Sequence, residues 1–194
     1  LKNMGIVNIV LCIGYKGDLI KNYFGNGKDF NVNITYSSEE YLLGTGGALR
    51  NAINILDDHF FVLYGDAYLN IDYRKVMNYL KQIGYPALLT VYKNEGKFDI
   101  SNVAFINDKL VMYDKQNPTK EMKYIDYGLS ILSKRIVEKY IPINTFYDLA
   151  DCYNALSKEN QLAGYKVEKR FYEIGSISSL QEFKNFIKSQ NKQT

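Results

Sequence analysis

The sequence predicts an α/β fold built on a doubly wound, mostly parallel central sheet. Three short apolar runs, Ile6–Ile13, Phe60–Tyr64 and Ala87–Tyr92, read as buried central strands. Amphipathic helical patterns lie between them, so the chain up to Tyr92 alternates β-α-β-α-β-α-β. Helices are therefore expected on both faces of the sheet.

Leu1–Gly5 reads as the last turn of a helix stopped by Gly5, which leads us to expect sequence upstream of Leu1. After Ile6–Ile13 comes a loop, Gly14–Gly17. Asp18 is placed to cap a short helix bearing Leu19, Ile20, Tyr23 and Phe24, stopped by Gly25. Val32, Ile34 and Tyr36 alternate with polar residues, the mark of a half-exposed or edge strand. A glycine-rich loop then feeds a helix whose Ala48, Leu49, Ala52, Ile53 and Leu56 share one face. Past Phe60–Tyr64, the residues Tyr73, Val76, Met77, Leu80 and Ile83 mark another helix, closed by Gly84 and Pro86.

The second half changes character. Val103–Ile106 and Leu110–Tyr113 flank Asn107-Asp108, a hairpin or tight-turn signal. Ile125–Leu132 reads as a strand, and Ser133 opens a short helix through Tyr140 that Pro142 breaks. Thr145 is placed to cap a helix bearing Phe146, Leu149, Cys152, Tyr153 and Leu156. Leu162–Val167 and Arg170–Ile174 read as short strands. Leu180, Phe183 and Ile187 share a face of a last helix, whose polar tail from Lys188 is expected to fray. No linker, repeat or low-complexity segment interrupts the chain, so residues 1–194 read as one domain.

A length of 194 residues with 46% hydrophobic content allows a sizeable core. Net charge is only +3 and basic residues are scattered, which argues against nucleic acid as a partner. No apolar run is as long as a membrane span and no signal peptide is visible, so no membrane partner is expected. Cys12 and Cys152 sit in apolar patterns and read as buried thiols of a reducing, cytoplasmic compartment. With His59 the sole histidine and the cysteines far apart, the composition argues against a Cys/His zinc site. His59 itself reads as a turn residue.

Chemistry concentrates in two neighbouring stretches. Leu42-Leu43-Gly44-Thr45-Gly46-Gly47-Ala48-Leu49-Arg50 places three glycines just ahead of a helix, where free N–H groups and the helix dipole suit an anionic or nucleotide ligand. A tight loop that needs glycine only for its backbone angles has the same signature. Phe60–Tyr64 then ends in Gly65-Asp66, a carboxylate at the C-terminal tip of a strand, where open α/β sheets bind ligands.

The order of these motifs resembles that of the sugar-1-phosphate nucleotidyltransferase family. Leu43-Gly44-Thr45-Gly46-Gly47-Ala48 is similar to its L-G-T-G-G-A loop, the most specific likeness. Tyr64-Gly65-Asp66, with Asp72 at the next helix start, resembles its strand-end G-D motif. Tyr124-Ile125-Asp126-Tyr127-Gly128-Leu129-Ser130-Ile131-Leu132 resembles its N-A-G-I-Y-V-L strand, and Phe171-Tyr172-Glu173-Ile174-Gly175-Ser176 its D-I-G-T segment. Tyr15-Lys16-Gly17 and Asn22-Tyr23-Phe24-Gly25 look most like the heptose- or mannose-1-phosphate guanylyltransferase branch.

The resemblance implies a Rossmann-like three-layer sandwich of the nucleotide-diphospho-sugar transferase type. It implies NTP and sugar-1-phosphate as partners and Mg²⁺ as cofactor. Asp66 and Glu173 would hold the metal, and Asp66 and Lys115 would serve catalysis. Leu43, Gly44, Thr45, Gly46, Gly47 and Gly65 would meet the nucleotide. Asp114, Lys115, Asp126 and Gly128 would meet the sugar phosphate. The family's first strand and its G-G-x-G-T-R-L loop are absent, so the fold is expected to be N-terminally incomplete. An unsatisfied strand edge should follow, with poor solubility, low stability or homo-oligomerisation of the chain alone. Other departures are Glu173 for the family's Asp, Asp114-Lys115-Gln116 for its E-K-P, and Ser130 for its Tyr.

Two other functions share this pattern. One is a family member that lost catalysis and serves as a binding or regulatory subunit. The other is a nucleotide-sugar-dependent glycosyltransferase, which the absence of Asp-x-Asp in Gly65-Asp66-Ala67-Tyr68 argues against.

Overall fold

The computed structural model describes residues 1–190. Its elements in chain order are β1 (Asn8–Ile13), α1 (Gly17–Phe24), β2 (Asn33–Ser38), α2 (Gly44–Asn51), β3 (His59–Leu63), β4 (Ala67–Tyr68), α3 (Tyr73–Ile83) and β5 (Ala87–Lys93). Then follow β6 (Val103–Ile106), β7 (Lys109–Tyr113), β8 (Tyr124–Ser133), α4 (Lys134–Tyr140), α5 (Leu149–Lys158), β9 (Leu162–Val167), β10 (Tyr172–Glu173) and α6 (Ile177–Gln190). α6 remains helical past Lys188, and 191–194 lie outside the described residues.

The central sheet has the strand order β7-β6-β8-β5-β9, with β3 also paired to β8. It is mixed rather than mostly parallel. Only β5 and β9 run parallel within it, while β3, β5 and β6 are all antiparallel to β8. The α/β class stands. β3 and β5 share one direction and β8 runs against both, which the sequence does not show, because an aliphatic run buried on both faces looks the same whichever way its neighbours run. β8 enters only after the β6–β7 hairpin, and it sets the polarity of the sheet.

Alternation along β5 sorts the core into two halves, one on each face of the sheet. Ala87, Leu89 and Val91 face one cluster with Leu149, Cys152 and Leu156 of α5; Leu88 faces the other with Val76 and Leu80 of α3. Helices thus cover both faces. Asp72 starts α3 by accepting the N–H groups of Arg74 and Lys75, and Gly84 ends it at φ +68°. The β6–β7 turn is as expected: Asn107 and Asp108 both have positive φ, which tight hairpin turns require.

Four local expectations are overturned. β1 is not a central strand; it pairs only with β2, in parallel, as a two-stranded sheet of its own. Its apolar side chains are left half covered, and Cys12 is exposed rather than buried, while Cys152 is buried. Asp18 does not cap α1, which starts at Gly17 behind Lys16. Thr145 does not cap α5 either; Asp148 does, accepting from the Ala150 N–H, because the Thr145 hydroxyl donates to the Ile143 carbonyl instead.

Candidate functional site

The site begins as an interruption in the sheet. On one edge of β8, β3 pairs with Leu129–Ser133 and β6 meets only Tyr124, while β5 occupies the other edge. Residues 125–128 therefore have no strand beside them on the β3/β6 edge. Two side chains serve the backbone there. Asn102 Oδ1 accepts the Asp126 N–H at 3.0 Å, and Asp126 Oδ1 accepts the Gly128 N–H at 2.8 Å. Gly128 sits at φ +96°, a conformation that strains any residue with a Cβ, and β8 shifts register against β5 just here.

This notch opens into a cleft of ≈ 470 Å³. Tyr64 and Asp66 reach it from the end of β3, Asn102 from the start of β6, Lys115 from beyond β7, and Glu173 from β10. A second hollow of ≈ 490 Å³, beside His59 and Lys81 at the other end of β3, has no acidic side chain in its lining and no means to hold a hard cation.

β4 and β10 bring the two proposed metal carboxylates together. Glu173 is the register partner of Ala67, and the Ile174 N–H donates to the Asp66 carbonyl at 2.8 Å. Neither carboxylate takes a hydrogen bond or ion pair from any described residue. Two unpaired carboxylates in one cleft are an oxygen donor set that fits Mg²⁺, which keeps waters and takes substrate phosphates for its remaining positions. No group of three His, Cys, Asp or Glu side chains lies together among the described residues.

Charge inside the cleft is uneven. Burial pushes the Asp126 carboxyl up to about 6, an effect that the Gly128 N–H and the Lys115 ammonium partly offset. Burial, with the carboxylates of Asp126, Asp148 and Asp66, raises the Tyr64 phenol above its ordinary range. Arg170 is held rigidly. Its guanidinium lies 5.1 Å from the Phe98 ring centre and 4.4 Å from that of Tyr172, and it pairs with both carboxylate oxygens of Glu182 at 2.8 and 3.3 Å.

Of the sequence-predicted residues, Asp66, Lys115, Asp126, Gly128 and Glu173 all line this cleft. Asp114 does not. Its Oδ1 accepts the N–H groups of Asn117 and Gln116, which hold its carboxyl below the ordinary range. The glycines of Leu43–Gly47 form the first turn of α2 rather than a free loop, and they dock on the segment ahead of α5. Gly46 and Gly47 both donate to the Tyr147 carbonyl, and Thr45 joins Asp148 and the Leu149 N–H. Thr45 stays exposed, as does Gly65. Ser130 is buried against Tyr153, hydroxyl to hydroxyl at 2.6 Å.

Sequence reasoning missed Asn102, Arg170 and Glu182. Arg170 stood three residues ahead of the proposed ligand Glu173, a signal within reach. Asn102 opens a strand between Ser101 and Val103, and nothing local marks it.

The family model described as nucleotidyl transferase matches residues 1–190. Among curated relatives, the D-glycero-alpha-D-manno-heptose 1-phosphate guanylyltransferase of Aneurinibacillus thermoaerophilus is 31% identical over 71% of this chain and 60% of its own length. The enzyme of the same name from Campylobacter jejuni is 28% identical over 72% and 61%. The mannose-1-phosphate guanyltransferase of Schizosaccharomyces pombe is 27% identical over 88% and 49%. The chain thus spans between about half and three fifths of these relatives. Among solved structures, HddC from Yersinia pseudotuberculosis complexed with GMP-PN superposes with a TM-score of 0.72 at 21% identity, covering 93% of this chain and 79% of that one. A putative glucose-1-phosphate thymidylyltransferase from Bacillus anthracis gives 0.75 at 20% identity, covering 94% and 76%. These two likenesses concern the fold.

Proposed function

The chain belongs to the nucleotidyl transferase family, and from that premise we propose that it transfers a nucleotidyl group from an NTP to a sugar-1-phosphate. A phosphate oxygen of the sugar-1-phosphate attacks the α-phosphorus of the NTP. The bond from that phosphorus to the β-phosphate's bridging oxygen breaks, and pyrophosphate leaves. The observation that carries this reading is the meeting of Asp66, Glu173 and Lys115 on one cleft, from three separate parts of the chain.

Both substrates are anions, so the site must position them and neutralise their charge. Asp66 and Glu173 would hold Mg²⁺, which supplies Lewis-acid charge neutralisation at the phosphates when bound. Lys115 would set a flexible point cation against the sugar phosphate. Asp126, ionised above pH 6 or so, would accept a sugar hydroxyl, and Gly128 would let the ring approach the strand. Leu43, Gly44, Thr45, Gly46, Gly47 and Gly65 would meet the nucleotide. Because Gly46 and Gly47 already donate to Tyr147, that contact would use the exposed side of the turn at Thr45. A cytoplasmic setting is supported by two free cysteines, and no helix among the described residues is long and apolar enough to cross a membrane.

The test is pyrophosphate release from each of the common NTPs with a panel of hexose- and heptose-1-phosphates and Mg²⁺. One preferred pair is expected. Binding of both substrates with no pyrophosphate from any pair would favour the non-catalytic family role.

A further inference from the structure

Asn102 stands apart from every other group in the cleft. It is only 9% exposed, and its backbone is fixed at both ends, the N–H donating to the Tyr124 carbonyl and the carbonyl accepting from the Asp114 N–H. Its side-chain Oδ1 accepts the Asp126 N–H, which settles which end of the amide is which. Nδ2 is then the free end, and it has no partner among the described residues. It is not sealed in the core either. Among the described residues the buried side-chain atoms without a partner are Arg50 Nε and Tyr127 Oη, so Asn102 Nδ2 faces the cleft that the residue lines. Facing an open cleft, its two N–H bonds are free to exchange water for the oxygen of a bound ligand, from a side chain that the fold already holds in place.

The pairing with Asp126 says what that ligand is. Asn102 offers a donor, and the adjoining Asp126 carboxylate offers only acceptors once ionised. A donor beside an acceptor matches two neighbouring hydroxyls of a sugar ring, one accepting and one donating. Resting on the proposed transfer to a sugar-1-phosphate, we infer that Asn102 is a specificity-determining residue whose Nδ2 donates to a ring hydroxyl next to the one held by Asp126. The acceptor class is a pyranosyl phosphate with a vicinal diol. Asparagine is suited to the place because one planar group satisfies the strand and the ligand at once. Aspartate would keep the bond to the Asp126 N–H and lose the donor.

That difference gives the experiment. Asn102→Asp and Asn102→Ala are compared with the parent protein, using the preferred sugar-1-phosphate and its single-deoxy analogues. For Asn102→Asp the sugar-phosphate KM should rise about tenfold, the equivalent of one neutral hydrogen bond, while the NTP KM stays within about twofold. One deoxy analogue should cost the parent about tenfold and cost either variant nothing further. If Asn102→Ala fails to fold, Asn102→Asp carries the test alone, since it keeps the acceptor. An unchanged sugar-phosphate KM in Asn102→Asp would overturn the assignment, as would deoxy analogues that penalise parent and variants alike. If the parent turns over no sugar phosphate, the proposed function fails first and this inference falls with it.

Discussion

The Ile174 N–H donates to the Asp66 carbonyl at 2.8 Å, and this bond ties the strand end carrying one proposed metal carboxylate to the short strand carrying the other. Backbone pairing thus fixes where the two residues sit, while their carboxylates, which take no hydrogen bond or ion pair from the described residues, are left to turn toward an ion. Asp66→Asn keeps shape and removes a charge. It should lower turnover roughly a hundredfold or more, about 3 kcal/mol of barrier, with little change in the melting temperature. Near-normal turnover with Mg²⁺ still required would mean that the metal is held elsewhere.

Asp126 should show opposite effects on stability and on substrate. Its folded-state carboxyl is raised from 3.8 to about 6, so the folded protein holds the proton more tightly than the unfolded chain. The stabilising contribution is therefore full below about pH 4 and lost as pH rises through 6. Asp126→Asn should melt higher than the parent at pH 7.5 and alongside it at pH 4. Its sugar-phosphate KM should rise at pH 7.5. Because a phosphate monoester also titrates near pH 6, the informative quantity is the difference between parent and variant across pH 5–8.

The glycines of the α2 turn and the one that follows β3 are of two kinds. A Cβ on Gly44, at φ +72°, would lie 2.7 Å from the Tyr147 carbonyl oxygen, and one on Gly47 would lie 2.6 Å from that of Thr145. Gly44→Ala and Gly47→Ala should each destabilise by roughly 1–3 kcal/mol in denaturant melts. Gly65→Ala meets no atom within 4 Å and should leave stability within about 0.5 kcal/mol. Equal losses in all three would contradict the docking of α2 on the Thr145–Leu149 segment.

Arg170 should resist conservative replacement. Its planar guanidinium is stacked by Phe98 and Tyr172 while forking onto Glu182. A lysine has neither the plane nor the fork. Arg170→Lys should lose nearly as much stability as Arg170→Ala, about 1 kcal/mol, and should speed proteolysis of α6. A fully stable Arg170→Lys would show that charge alone suffices there.

Features governed by neighbours in sequence were legible. Asn107-Asp108 announces its own turn, and Ser133 caps α4 by accepting the Ile136 N–H. Motif order groups Asp66 with Glu173, and both line the cleft. What escaped depends on distant segments meeting. Asn102 becomes part of the site only because Asp126, 24 residues on, has no strand beside it on the β3/β6 edge. The docking of α2 was equally out of reach, since the N–H groups of Gly46 and Gly47 find the Tyr147 carbonyl a hundred residues on. The half-covered state of β1 was equally hidden, since an aliphatic run does not say what will lie against it.

The position of β8 in the chain has a consequence during synthesis. β3 finds its pairing in β8, and β5 one of its two edges, yet β8 is made after both. Between translation of His59 and Ser133, roughly 70 residues emerge, which takes about 4–15 s at cellular elongation rates. For that interval the apolar strands β3 and β5 have exited with no partner on the edges that β8 will fill. Nascent chains stalled before Tyr124 should therefore recruit chaperones and aggregate, and chains extended past Ser133, with exit from the ribosome allowed for, should lose both tendencies together.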